Sequence, residues 1–395
     1  MKFSKIGDSL YIKGRIGWKG LKKSEYLTDG EYRIINATSI VEGQIDWSDA
    51  GFISKERYDE SPEIMLQNND ILISKDGTIG KVGLVSNLSK PATVASGVFV
   101  VRNLNHDKWN TKYLYYYFMS IYFKNFIESR KEGSVIPHLY QRDFEQLNIP
   151  EYSITIQNKI VDILDSITNK IRVNQQINDN LLEILSTHFI KYIVSNQTKI
   201  PDGWKIFKLK DLSDVQNGFA FKSSEYIDHS ELPIIRTKNF NENSLVETND
   251  LKYISNSSKD KYKNFRFQSL DTVMVGASIG KTALITTRNL PGLQNQNMWR
   301  FRSKLSEYPE MLIFELVNYI NTQVGGSATG SAREFYRKTI FQEFEIALPR
   351  NSEELDIYSS IGKKIDSLAS ETQRLTELRD ALLPKLLNGE ISLSN

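Results

Sequence analysis

From Ile154 to Val194 apolar residues recur three and four apart, at Ile160, Leu164, Ile167, Ile171, Leu181 and Leu185. That spacing draws one stripe along a helix, the pattern of a coiled-coil seam. Asn174, Asn178 and His188 fall on the same stripe, where polar groups lower stability and fix register or partner number. The run contains no Gly or Pro, and Pro201-Asp202-Gly203 ends whatever continues past it. Its length predicts a rod of about 60 Å at 1.5 Å per residue, too long to be wrapped within one small domain. A second run, Leu355 to Leu387, places Ile361, Ile365, Leu368, Leu375, Leu382 and Leu386 on its own stripe.

The segments between the rods have a different pattern. Tyr32–Asn36, Ile71–Ser74 and Val98–Val101 are short apolar runs of strand type, and Leu147–Pro150 predicts a last strand before the first rod. Thr111 to Ser129 is aromatic-rich and predicts a helix. After the rod the same order starts again. Ser24-Glu25-Tyr26 recurs as Ser224-Glu225-Tyr226, Ile34-Ile35 as Ile234-Ile235, and Asp70-Ile71-Leu72-Ile73 as Asp271-Thr272-Val273-Met274. Ile79-Gly80-Lys81 recurs as Ile279-Gly280-Lys281, and Leu147–Pro150 as Ile346–Pro349. Several matches in one order, all offset by about 200 residues, make an internal repeat.

The predicted fold class is therefore α+β: two similar mixed α/β domains, residues 1–152 and 197–350, separated by spacer helices at 153–196 and 351–395. Because each helix follows an equivalent domain, a pseudo-two-fold pairing would run them antiparallel as an intramolecular coiled coil, with a domain at each end. Pairing between chains, or packing of each helix on its own domain, stays open at this point.

Composition narrows the chemistry. The chain has no cysteine, so disulfides, thiol catalysis and thiolate metal sites are excluded and a reducing cytoplasm is expected. Its four histidines, His106, His138, His188 and His229, are far apart, which argues against a metal site. No apolar run suits a signal peptide or a membrane span. The net charge of +2 is uninformative, but residues 196–350 carry 21 basic and 17 acidic residues, +4, against 20 and 19, +1, for residues 1–153. Any nucleic acid would have to bind local patches on folded domains.

The catalytic motifs fail on spacing. Gly276-Ala277-Ser278-Ile279-Gly280-Lys281-Thr282 has three residues between its glycines where a Walker A loop needs four, and the strand-like Ala283–Thr287 follows where a phosphate-binding helix should begin. A hairpin turn fits better there and at Gly77-Thr78-Ile79-Gly80-Lys81. Asn148-Ile149-Pro150-Glu151-Tyr152 lacks the spacing of a base methyltransferase tetrapeptide, and no Glu-x-Lys follows Pro201-Asp202 closely as in a nuclease. The chain is expected to catalyse nothing itself.

Binding remains. Two similar domains held apart suit a ligand with two similar sites on a line, as in duplex DNA with half-sites about 34–36 Å apart. Candidate contacts are the basic and polar residues of expected loops. In the first domain these are Lys19, Lys22, Lys23, Lys75, Lys81, Arg130, Lys131, His138 and Arg142. In the second they are Lys222, Arg236, Lys238, Lys259, Lys261, Lys263, Arg266, Lys281, Arg333, Arg337 and Lys338. Some would hold phosphates, and Arg, Asn or Gln at a base edge would specify sequence. For each the bland alternative is a solvated side chain, and Gly325–Ser331 is a groove-following loop or a plain connector.

Over its full length the chain resembles the specificity subunits of type I restriction–modification systems. Leu375–Ile391 is similar to that family's C-terminal helix ending, Ile177–Leu185 to the matching part of its central helix, and the segments at Asp70 and Asp271 to its domain pattern. The second copy lacks the Gly matching Gly77. The resemblance implies two target-recognition domains reading a bipartite double-stranded DNA site, helices that set the unread gap, and no active site on this chain. It implies two methyltransferase subunits as partners, with restriction and translocase subunits joining the complex. S-adenosylmethionine, ATP and Mg2+ are then expected on the partners, and no cofactor here. The recognition subunit of a related non-type-I methyltransferase–nuclease, or a protein-binding scaffold on a coiled-coil tether, are the rival readings.

Overall fold

The computed structural model describes residues 2–15, 20–130, 139–240, 244–246, 248, 250–276, 280–325, 337–350 and 353–393. Its longer helices are α1 (Thr111–Met119), α2 (Ile121–Arg130), α3 (Ile154–His188), α4 (Glu310–Gly325) and α5 (Asp356–Leu387). The chain divides into two compact units, Met1–Thr168 with Thr376–Asn395, and Asn169–Leu375. Each unit holds one globular portion and part of both long helices.

The strands of the first unit include β1 (Lys2–Lys5), β2 (Leu10–Gly14), β3 (Ile71–Ser74), β4 (Val82–Leu84), β5 (Val98–Asn103) and β6 (Asn148–Glu151). The main sheet has the order β2-β5-β3-β4, extended by Gln44–Ile45 and Ile40–Val41, while β1 pairs antiparallel with β6. Residues Val98–Val101 of β5 are apolar without alternation because both faces are covered. Phe99 and Val101 enter a core with Trp109, Tyr113, Phe118 and Phe144. Val98 and Val100 enter a second core with Ile35, Leu72 and Val85. The β3–β4 connection is the expected hairpin turn, with Gly77 and Gly80 in the left-handed region at φ of +66° and +85°.

The aromatic run forms two helices where the sequence predicted one. Ser120 turns the backbone extended between them, at ψ of 163°. Its N–H and Oγ both donate to the Tyr117 carbonyl, which closes α1. At the other end of α1 the Asn110 side chain accepts from the amides of Lys112 and Tyr113, a regular N-cap. Ile160 and Leu164 from the start of α3 share this unit's core with Leu383, Leu386 and Leu387 from the end of α5. Tyr152, just before α3, donates to the Leu387 carbonyl at 3.1 Å. The start of one helix therefore lies with the end of the other.

The second unit repeats the plan with β7 (Trp204–Lys208), β8 (Ser213–Asn217), β9 (Thr272–Val275), β10 (Thr282–Leu284), β11 (Met298–Ser303) and β12 (Glu345–Pro349). Its sheet order β8-β11-β9-β10 matches β2-β5-β3-β4, and β7 pairs with β12 as β1 does with β6. Met311, Leu312, Leu316 and Ile320 of α4 share a core with Leu185 of α3 and Tyr358 and Ile365 of α5. Gly362 is required on α5, since a Cβ there would lie 2.7 Å from Met311 Cγ. Asn174 Nδ2 donates to Glu371 Oε2 at 2.9 Å, and His188 Nδ1 lies 3.1 Å from the Tyr358 hydroxyl. Partner numbers fall along α5 as they rise along α3, so the helices run antiparallel within the chain.

Among the predicted pairing positions Ile160, Leu164, Ile171, Leu185, Ile365, Leu368 and Leu386 are buried, and Ile167, Leu181, Ile361, Leu375 and Leu382 are half-buried. Beyond His188 the rod continues as a π-turn over Phe189–Ile193 and a 3-10 turn over Val194–Asn196. Gln197 then ties it to β12, accepting from Ala347 N at 2.9 Å and donating to Ala347 O at 3.0 Å.

Candidate nucleic-acid interface

The internal repeat is clearest at two ion pairs. Arg102 Nε and Nη2 grip Asp70 at 2.7 and 2.8 Å, and Arg302 grips Asp271 at 2.7 and 2.6 Å. Each arginine also donates at 3.1 Å to the carbonyl five residues before its aspartate, Met65 or Arg266. Each aspartate also accepts the backbone amide of Gln67 or Gln268 at 2.7 Å. Both carboxylates are 1% exposed, so full hydrogen bonding is what makes their burial tolerable. These clamps fix a loop against the last strand of each main sheet at the same place in both domains.

What lies beside the clamp differs. In the first unit Tyr11, opposite Arg102 in the ladder, covers the arginine with its ring centroid 5.4 Å away and donates to the Glu63 carbonyl at 2.8 Å. The neighbouring inward position on β5 is Val100, fully buried. In the second unit Asp214 stands opposite Arg302, and Arg300 takes the place of Val100. Arg300 is only 3% exposed. It donates to Gln216 Oε1 at 2.7 Å and Asp214 Oδ2 at 2.9 Å, and burial holds its guanidinium below the usual arginine range. Gln216 Nε2 in turn donates to the Asn264 carbonyl at 3.0 Å. The space left is a groove of about 830 Å³ lined by Gln216, Asn217, Lys263–Gln268 and Arg302, with no carboxylate among them. The first unit has a polar cavity of about 550 Å³ bordered by Asp70, Arg102, Asn103, His106 and Asn158.

The cations singled out from sequence are mostly committed elsewhere. The hairpin lysines reach opposite ends of the matching short turn in the two domains, Lys81 Nζ to Ala37 O at 3.2 Å and Lys281 Nζ to Phe240 O at 3.3 Å. Lys75 lies over the Phe99 ring, Arg142 over Tyr140, and Arg130 over Phe126 with a bond to Gln146. Lys22 and Lys222 are exposed and open matching turns, their amides bonded to Glu25 and Glu225. Arg236 donates to the Asp250 carbonyl and Lys238 pairs with its carboxylate. Lys261 pairs with Glu225 at 3.2 Å. Lys259 lends its carbonyl to Arg266. Arg337 is exposed at the N-cap of the short helix Lys338–Gln342, and Lys338 Nζ reaches Val215 O at 3.5 Å. Lys19, Lys131, His138 and Arg333 lie outside the described residues, as does the side chain of Lys23.

Among the candidates within the described residues, Lys263 and Arg266 come together at one groove. Sequence reasoning missed its amides, Gln216, Asn217, Asn264 and Gln268, and the two arginines of β11. The arginine of the clamp had a signal, since Asp70–Arg102 and Asp271–Arg302 recur at separations of 32 and 31 residues. Among the described residues no three His, Asp or Glu side chains form a metal cluster, and no helix is long and apolar enough to cross a membrane.

Known proteins share this plan. The specificity subunit of the type I restriction enzyme MjaVIII from Methanocaldococcus jannaschii is 24% identical, over 99% of this chain and 93% of its own length. That of StySPI from Salmonella potsdam is 22% identical over 96% and 87%. The crystal structure of a type I restriction–modification S subunit from M. genitalium superposes with a TM-score of 0.54 at 15% identity, covering 98% of this chain and 96% of that one. The family model described as the type I restriction modification DNA specificity domain matches residues 1–183 and again residues 201–380, once per repeat, and the chain belongs to that family.

Proposed function

We propose that this chain is the sequence-specific DNA-recognition subunit of a type I restriction–modification complex, reading a bipartite duplex site with one half per domain. The observation that carries the reading is the family match to each half of a chain whose halves share sheet order and clamp. The halves differ beside the clamp, Tyr11 and Val100 against Asp214 and Arg300, which favours two different half-sites. The chain is non-catalytic and works in the cytoplasm. Two methyltransferase subunits dock on it, restriction and translocase subunits join through the complex, and S-adenosylmethionine, ATP and Mg2+ bind those partners.

Methylation mapping tests this directly. Cells carrying the chain with its methyltransferase subunits should show modified bases at a split motif, and deletion of the chain should abolish those marks. Persistence of every split-site mark would sink the proposal. The purified complex should also lose duplex affinity steeply with salt, because phosphate contacts release counterions; a protein-binding scaffold would show no such slope.

A further inference from the structure

Resting on that reading, we infer that the groove beside the Asp271–Arg302 clamp is where the second domain contacts its half-site, with Gln216 and Asn264 facing base edges and Lys263 a phosphate. Three observations meet there. The groove is rich in amides and cations and has no lining carboxylate, the composition expected for contact with base edges and phosphates. Gln216 is held in advance: Arg300 fixes its carbonyl, and the Asn264 carbonyl fixes its amide. An amide nitrogen carries two hydrogens and its oxygen two lone pairs, so one donor and one acceptor remain for a ligand. Lys263 is exposed and makes no ion pair among the described residues, unlike Lys238 and Lys261.

The buried Arg300 is itself an argument. Its counterpart Val100 serves as core, and a guanidinium in that place carries a burial cost offset by its bonds to Asp214 and Gln216. Here it orients Gln216 from behind. At the equivalent face of the first domain Tyr11 lies over Arg102 and bonds the Glu63 carbonyl, so the two domains differ at this place and the first serves as an internal control.

The test uses the assembled complex with its methyltransferase subunits. Gln216→Glu keeps an acceptor for Arg300 while removing the donor, and should change the base preference in one half of the methylated motif and leave the other intact. Lys263→Ala should leave the motif unchanged, weaken duplex binding several-fold, and reduce the salt slope by about one counterion. Lys13→Ala, at the position of the first domain equivalent to Gln216, should leave the second domain's half-site alone. If Gln216→Glu and Asn264→Ala both give the wild-type motif, and Lys263→Ala the wild-type salt slope, the inference is overturned. Absence of any split motif with the wild-type chain would instead overturn the functional proposal. A Gln216 variant that fails to assemble leaves the decision to exposed Lys263.

Discussion

At the scale of single residues the two clamps are structural parts repeated for the same reason. Each aspartate has almost no contact with water, so its charge is tolerated only because a guanidinium fork and a backbone amide meet it. Asp271→Asn should therefore destabilise the second unit by about 3 kcal/mol, toward the low end for a broken buried pair because Arg302 keeps partial access to water. Urea unfolding would measure this, and a change within 0.5 kcal/mol, as expected for an ordinary surface site, would show the clamp idle. Glu315 is a different case. It lies on α4 at 5% exposure, and burial pushes its carboxyl up from 4.5 to about 8. A raised carboxyl binds its proton more tightly folded than unfolded, so the contribution of this group to stability is greatest below about pH 4.5 and falls as pH rises toward 8. The full swing is on the order of 5 kcal/mol. Glu315→Gln should flatten the pH dependence of the second unit's unfolding midpoint; an unchanged slope would assign it to another group. Neither residue was legible in advance. Asp271 showed only as part of a repeat, and Glu315 sits in a helix whose pattern gives no hint that its face is covered.

Among elements the rods were the most legible, because period and length suffice to define a seam. The aromatic stretch was legible as helix but not as two, since the break depends on one serine capping a carbonyl. The strands of the main sheets could be seen as apolar runs, whereas sheet order required contacts far apart in sequence. The polar positions of the seam turn out to differ. Asn174 and Asn178 are both buried and each has a carbonyl oxygen with no partner, but Asn174 also donates through its nitrogen to Glu371. A buried amide left partly unsatisfied lowers stability. Asn178→Leu should raise the unfolding free energy of the second unit by roughly 1 kcal/mol, at the expense of register specificity. Asn174→Leu should give no such gain, because it removes a made bond. If both substitutions stabilise equally, the Asn174–Glu371 bond contributes nothing.

For the whole molecule, the question with an experimental consequence is which residues travel together as one recognition unit. Repeats in sequence suggest that residues 1–152 can be exchanged as a block, changing one half of the recognised site. The first unit, however, also contains Met1–Thr168 as far as the helix and Thr376–Asn395 from the other end of the chain. Tyr122 and Tyr152 donate to the carbonyls of Pro384 and Leu387, and Leu383, Leu386 and Leu387 complete the core around the α1 aromatics. A graft of residues 1–152 alone would present an unrelated surface to those leucines, and filling or emptying such a core costs about 2–5 kcal/mol per large mismatch. Exchange of residues 1–168 together with 376–395 carries both sides of that contact. We therefore expect the two-segment exchange to yield a stable complex whose methylated motif changes in one half only. The one-segment exchange should give the same new motif with a lower melting temperature. Equal melting temperatures would mean the end of α5 is not part of the first unit's core. A change in both halves of the motif would mean that the domains do not read separately.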